Sequence, residues 1–297
     1  LSRVAAIAGV DFSIELAEAA TGQRAVQLAS AWQELQDAQV LHDECFAHDL
    51  VADAALRSVP PVVARRVHAQ CAQWLATHGG EPARVAWHWC RGGQPAEAGR
   101  AFMAAAKRAE RAARVREEAE LCGHAAQAFA DAGMEQEAFD ARLLRVRALN
   151  GIAFDDEARQ EVHALIESAT TDPQRMHAHT ELCGLHTERS EPQAALEAGR
   201  AALALARSLG SMERQVRIGC HMASALCRLG RSDEAMALLA PQRAWVMQQP
   251  DPELRMLWHG DWAAVLGCIG QLRNAIAAFD VALAASREYG SRDAEGQ

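Results

Sequence analysis

A glycine, or a serine in its place, followed five residues later by an alanine recurs along this 297-residue chain. The pairs are Gly93/Ala98, Gly133/Ala138, Ser190/Ala195, Gly230/Ala235 and Gly270/Ala275. The first two stand 40 residues apart, and so do the last three in succession. Self-similarity at such a period marks a stack of small supersecondary units. Each glycine fits a tight turn between two helices, because a left-handed backbone costs it little. Each alanine then falls in the second helix, where a small side chain lets the two helices approach.

Counting back from each turn tests this reading. Seven residues earlier stand Ala86, Ala126, Cys183, Ala223 and Ala263, all small. Four earlier stand Trp89, Phe129, His186, Leu226 and Leu266, mostly large. The second helix adds Ala98-x-x-x-Phe102 and Ala275-x-x-x-Phe279. These places resemble those of the tetratricopeptide repeat, whose usual period is about 34 residues. Longer helices or linkers account for the difference. Between Gly133 and Ser190 the spacing is 57, so the register breaks near 150–172. The excess suits one added helix, expected over residues 155–169 after an irregular start at Asn150-Gly151.

Half the residues are hydrophobic and only nine are proline. Abundant alanine with few aromatic residues favours helix. The expected fold class is therefore all-α, with a right-handed tetratricopeptide-like α-solenoid over residues 84–297. Net charge is −9, which argues against direct nucleic-acid binding and against an anionic membrane. No apolar run approaches the roughly 18 residues of a membrane span. Eight cysteines without a CxxC pair read as small core residues in a reducing, cytoplasmic setting. Leu1 leads straight into Val4-Ala5-Ala6-Ile7-Ala8, as expected of a fragment cut within a domain.

Residues 1–80 carry a different pattern. A helix stopped by Gly9 precedes a second, capped by Ser13 and ended by Thr21-Gly22, and a third over 25–38. Val40-Leu41-His42 and Cys45-Phe46-Ala47 flank Asp43-Glu44 and predict a small β-hairpin. Helices follow over 49–58 and 62–78, the latter opened by Pro60-Pro61 and closed by Gly79-Gly80. Helix 25–38 has no Lys or Arg, which argues against its use as a DNA-recognition helix.

Phe46-Ala47-His48-Asp49-Leu50-Val51, continuing to Val59-Pro60, resembles the winged-helix segment of bacterial STAND-class signal-transduction ATPases, which include ATP-binding transcriptional activators. In that family a nucleotide-binding domain precedes a winged helix and a helical-repeat sensor. The resemblance implies a winged-helix-like unit over 1–80. It also implies that His48 contacts the phosphates of ADP bound to an upstream domain. The other reading of His48 is a cap on the following helix, or a core residue. No GxxxxGK[ST] occurs, so no cofactor is expected in this chain itself and no catalytic role is assigned to it. The partners expected are a protein or small-molecule effector on a concave repeat surface and the upstream nucleotide-binding domain. The rival is a scaffold that only assembles other proteins.

Three constellations have plainer explanations. His179, Cys183 and His186 share a helical face, but two of them are repeat packing positions, so no metal is expected. Lys107, Arg108, Arg111, Arg114 and Arg116 interleave with glutamates as a solvated face does. Trp87, Trp89, Trp245, Trp258 and Trp262 are expected in the core. The polar end from Ser286, with Gly290 and Gly296, reads as frayed or truncated.

Overall fold

In the computed structural model the residues described are 1–151 and 156–295, with side chains described to 290. The chain divides into two compact units, Leu1–Arg145 and Val146–Gln297. The boundary expected from motif, near 80–84, lies inside the first of these.

The first unit opens with α1 (Ser2–Ala8), a short 3-10 turn (Gly9–Asp11), α2 (Ile14–Thr21) and α3 (Ala25–Asp37). The Ser13 hydroxyl accepts from the Leu16 backbone N–H at 3.1 Å, and Gly22 closes α2 in the left-handed conformation. Strands β1 (Leu41–His42) and β2 (Cys45–Phe46) pair antiparallel, Leu41 opposite Phe46 and His42 opposite Cys45. Helices α4 (Asp49–Arg57) and α5 (Pro61–Thr77) follow. Phe12, Leu16, Leu28, Leu41, Cys71 and Leu75 form one core with Val85 of the next helix, and Phe12 stacks on Trp32 at 5.5 Å. Two helix pairs complete the unit: α6 (Pro82–Arg91) with α7 (Pro95–Arg111), and α8 (Val115–Asp131) with α9 (Glu135–Asn150), whose last turn passes into the second unit.

The second unit adds α10 (Asp156–Ser168) at the expected extra helix; residue 155 lies outside the described residues. Then come α11 (Asp172–Glu188), α12 (Pro192–Ser208), α13 (Met212–Arg228), α14 (Ser232–Leu239), a 3-10 turn (Ala240–Gln242), α15 (Arg243–Val246), α16 (Pro252–Cys268) and α17 (Leu272–Glu295). Helices α11 to α17 pack on their neighbours in sequence, the helical-repeat architecture that the spacing predicts. The frayed end expected from Ser286 is instead helix through Gly290 to Glu295; Gly296 lies outside the described residues.

The five turns are built alike. Gly93, Gly133, Gly230 and Gly270 have φ between 71° and 82°, and Ser190 has φ 59°. In each, the next residue's N–H returns to the carbonyl four residues before the turn: Gln94 to Trp89, Met134 to Phe129, Glu191 to His186, Arg231 to Leu226 and Gln271 to Leu266, at 2.8–3.0 Å. This bond satisfies a carbonyl that the helix end would leave orphaned. Prolines open α5, α6, α7, α12 and α16 at the first helical position, where a missing N–H costs nothing.

Across each pair the small residues meet. Ala98, Ala138, Ala195, Ala235 and Ala275 are buried, as are Ala86, Ala126, Cys183, Ala223 and Ala263 on the opposing helices. Ala263, Leu266, Ala275 and Ala278 form one such cluster. Not every apolar residue joins a core. Trp87 is 44% exposed, correcting the expectation of a buried ring; its face meets Phe102 and His124 edge-on. Cys45 and Cys268 are exposed as well.

A buried polar cluster joins three elements of the first unit. Arg84 Nη1 lies 2.9 Å from Asp11 Oδ1, and His88 Nδ1 lies 2.9 Å from His68 Nδ1. One imidazole must donate and the other accept, so the accepting ring is neutral. Asp11 Oδ2 to His88 Nε2, at 3.9 Å, is too long for a hydrogen bond. Burial pushes both histidines down to about 4.

Two outcomes follow from these contacts. Ser190 holds a left-handed backbone at a cost of about 1 kcal/mol that glycine avoids. Ser190→Gly relieves that cost but gives up the bond its hydroxyl accepts from Arg228 Nη1, so the urea midpoint is expected to move little. Gly230→Ala, whose added methyl meets no atom within 4 Å, is expected to lower it by the equivalent of about 1 kcal/mol through backbone strain alone. Between pH 6.5 and about 4, the unfolded chain takes up protons that folded His68 and His88 refuse. Their contribution to stability is therefore full above 6.5 and falls as the pH drops through that window, by on the order of 3 kcal/mol per histidine at most. Histidine NMR titration should find neither ring protonating between pH 8 and 5 in the folded protein.

Candidate functional site

The repeat register also fixes one polar place. Nine residues before each turn stand Arg84, His124, Glu181, His221 and Asp261. None is apolar, although the residue two places further on, alanine or cysteine, is buried in every one of their helices. Counting back from the turns reaches this row in the sequence too, but it differs in chemistry from repeat to repeat, so a search for similarity passes over it. In the first unit Arg84 pairs with Asp11, and His124 lies against Phe102, ring centroids 5.3 Å apart.

In the second unit the row is embedded in charge. Arg147 Nε donates to Glu181 Oε1 at 2.7 Å. His221 faces α11 at Gly184, where an added Cβ would lie 3.7 Å from its Cε1, and burial lowers its pKa. One turn earlier on α13, Arg217 spans three carboxylates. It donates to Glu213 at 3.1 Å and to Glu253 at 3.0 Å, and lies 3.7 Å from Asp251. These last two tie α13 to α16. Asp261 accepts a hydrogen bond from the Cys220 thiol; burial pushes its carboxyl up to about 6 and the thiol well above its ordinary value. The row thus offers an ion-paired carboxylate, a neutral imidazole and a carboxyl that holds its proton closer to neutrality than usual. Beside it Trp258 stacks on Trp262, centroids 5.3 Å apart. Such a row suits binding by hydrogen bonds; Trp258 is wholly buried and backs the half-buried Trp262.

The first unit carries a cleft of about 490 Å³ lined by Arg66, Gln70, Gln73, Trp89, Gln94 and Glu97. A neighbouring hollow of about 300 Å³ shares Gln70 and Gln73 and adds Trp74. Arg66, Gln70 and Gln73 follow helical spacing on α5, a polar stripe visible in the sequence beside the tryptophans.

His48 stands at the N-cap position of α4 with an extended backbone. Its side chain makes no capping bond and is exposed. It is therefore neither a side-chain cap nor a core residue; it projects from the end of the hairpin. His179, Cys183 and His186 lie along α11 but do not converge: His186 Nδ1 pairs with Glu191 Oε2 at 2.5 Å, and Cys183 is buried in the packing. Among the described residues no group of three or more histidine, cysteine or acidic side chains is placed to hold a metal ion. Lys107, Arg108, Arg111, Arg114 and Arg116 are exposed, and Arg114 pairs with Glu117 at 2.8 Å. No described helix is long and apolar enough to cross a membrane.

No protein-family model matches the sequence, and no curated protein matches it. Among solved structures, the chain is similar to a Signal Transduction ATPase with Numerous Domains (STAND) protein with a tetratricopeptide repeat sensor from Pyrococcus horikoshii. The TM-score is 0.56 at 12% sequence identity, covering 97% of this chain and 44% of that one. At that identity the likeness is one of fold, and the chain spans less than half the length of the protein it matches. Repeated helix pairs like those of a tetratricopeptide sensor are thus the architecture of this chain.

Proposed function

We propose that this chain is the sensing part of a cytoplasmic bacterial STAND-type regulator. The repeats bind a protein or small-molecule effector, and a winged-helix-like unit over residues 1–80 relays occupancy to an upstream nucleotide-binding domain. The observation that carries this reading is the junction it requires: a helical-repeat array preceded by three helices and a hairpin, with an exposed, uncapped His48 at the hairpin's end. The fold likeness to a STAND protein with a repeat sensor supports it.

The physical logic is a two-state arrangement. An exposed imidazole N–H can donate to a phosphate oxygen of ADP held by the upstream domain and so favour a closed state. An effector that binds the repeats better in the open state shifts the balance by its difference in affinity, and by no more. The polar row of Glu181, His221 and Asp261 is the face we assign to that effector. On this reading the chain binds no cofactor of its own and catalyses nothing, and the output, transcriptional activation or a linked enzyme, belongs to other domains. A scaffold that only assembles partners is the second reading, supported by the stacked repeats alone.

In the full-length protein, His48→Ala is expected to speed ADP release several-fold while leaving the urea midpoint unchanged, because the side chain is exposed and makes no cap. Release followed with a fluorescent ADP analogue is the measurement. An unchanged off-rate removes His48 from the relay, and a full-length gene with no Walker A motif upstream of Leu1 leaves the scaffold reading in its place.

A further inference from the structure

Helices α7 and α12, which follow the Gly93 and Ser190 turns, each carry two stripes. In α12, Ala195, Ala198 and Ala202 form one, and Leu196, Gly199 and Leu203 the other, and all six are buried. The second stripe meets the following helix, since a Cβ on Gly199 would lie 2.5 Å from Met222 of α13. The same holds at the first repeat. Gly99 and Phe102 of α7 are buried; a Cβ on Gly99 would lie 2.6 Å from the Phe129 ring of α8, and Phe102 faces His124 of α8.

Helix α17 repeats both stripes in the same register. Ala275, Ala278 and Ala282 are buried as in α12. Ile276, Phe279 and Leu283, which occupy the places of Leu196, Gly199 and Leu203, are 62%, 52% and 51% exposed. The contrast is sharpest for phenylalanine. Phe102 and Phe279 hold the same position relative to their turns, yet Phe102 is 1% exposed. A capping helix would present a polar outer face here. This one presents an apolar stripe set for another helix.

We propose that the outer stripe of α17 is a docking surface for one further helix of the kind represented by α8 and α13, seated as they sit on α7 and α12. The register specifies its chemistry. It is amphipathic, with a flat polar ring such as the one His124 offers to Phe102 where it meets Phe279. Opposite Ile276 it carries a small residue, because the branched side chain fills the space that Gly99 leaves for Phe129. This inference rests on the packing of the repeats and is independent of the regulatory reading above.

The probe is a synthetic helix of residues 113–132 with Phe129→Ala, which makes that room, carrying a fluorophore at its N-terminus. Fluorescence anisotropy should show it binding the 297-residue chain, and Ile276→Glu with Phe279→Glu should weaken binding at least tenfold. Both residues are exposed, so the double variant is expected to keep the parent's circular dichroism and urea midpoint. Hydrogen exchange on the unaltered chain supplies a test free of variants: the peptide should slow exchange in α17. Absence of binding, equal binding by the double variant, or no added protection of α17 overturns the proposal. So does sedimentation showing a dimer that the double variant dissociates, since the stripe would then belong to a second copy of this chain.

Discussion

The structure depends on how closely two helices can lie within each repeat. Alanines on the second helix meet alanine or cysteine on the first, and the left-handed residue between them sets the angle at which the chain returns. Interhelical distance follows the side chains at the crossing, so these small residues fix how far each next helix is displaced. Larger residues four before each turn then fill the wedge beside them: Phe129, Leu226 and Leu266 are buried. The 40-residue period repeats this geometry and conserves no chemistry beyond it.

That division explains what the sequence made legible. Turn positions were readable because only glycine, or a strained serine, fits them. The hairpin was readable because Asp43-Glu44 interrupts two short apolar runs, and Asp43 indeed has φ 55°. The added helix followed from the broken register. The buried cluster of Asp11, His68 and His88 was not readable, since its members come from a 3-10 turn and two helices with no shared spacing. Trp87 departs from the expected burial for a related reason. It sits beside two buried positions of α6, Val85 and Ala86, and only the crossing of α6 with α7 and α8 decides which side of a helix stays wet.

Charge follows packing too. Among the described residues several arginine–carboxylate pairs cross between helices: Arg147 to Glu181, Arg159 to Glu191, Arg217 to Glu253 and Arg255 to Glu288. Each joins residues 32 to 36 apart in sequence, close to one repeat. Arginine suits this because its fork can reach two partners from one anchored stem, as Arg217 does. Exposed pairs of this kind contribute little individually. Their effect is on register: they oppose sliding of one helix along the next, which an alanine interface, being nearly featureless, resists poorly.

The candidate binding row sits where these two systems meet. In the second unit the side chain nine residues before each turn is half-buried, whereas Arg84 and His124 at the same place in the first unit are exposed. Packing therefore leaves the identity of this place free, and in the second unit the row reads Glu181, His221, Asp261, three different hydrogen-bonding groups along successive first helices. A stack whose small residues must repeat can vary only at places such as this one. Binding specificity in such a chain is written on the residues that break the pattern, held in place by the residues that keep it.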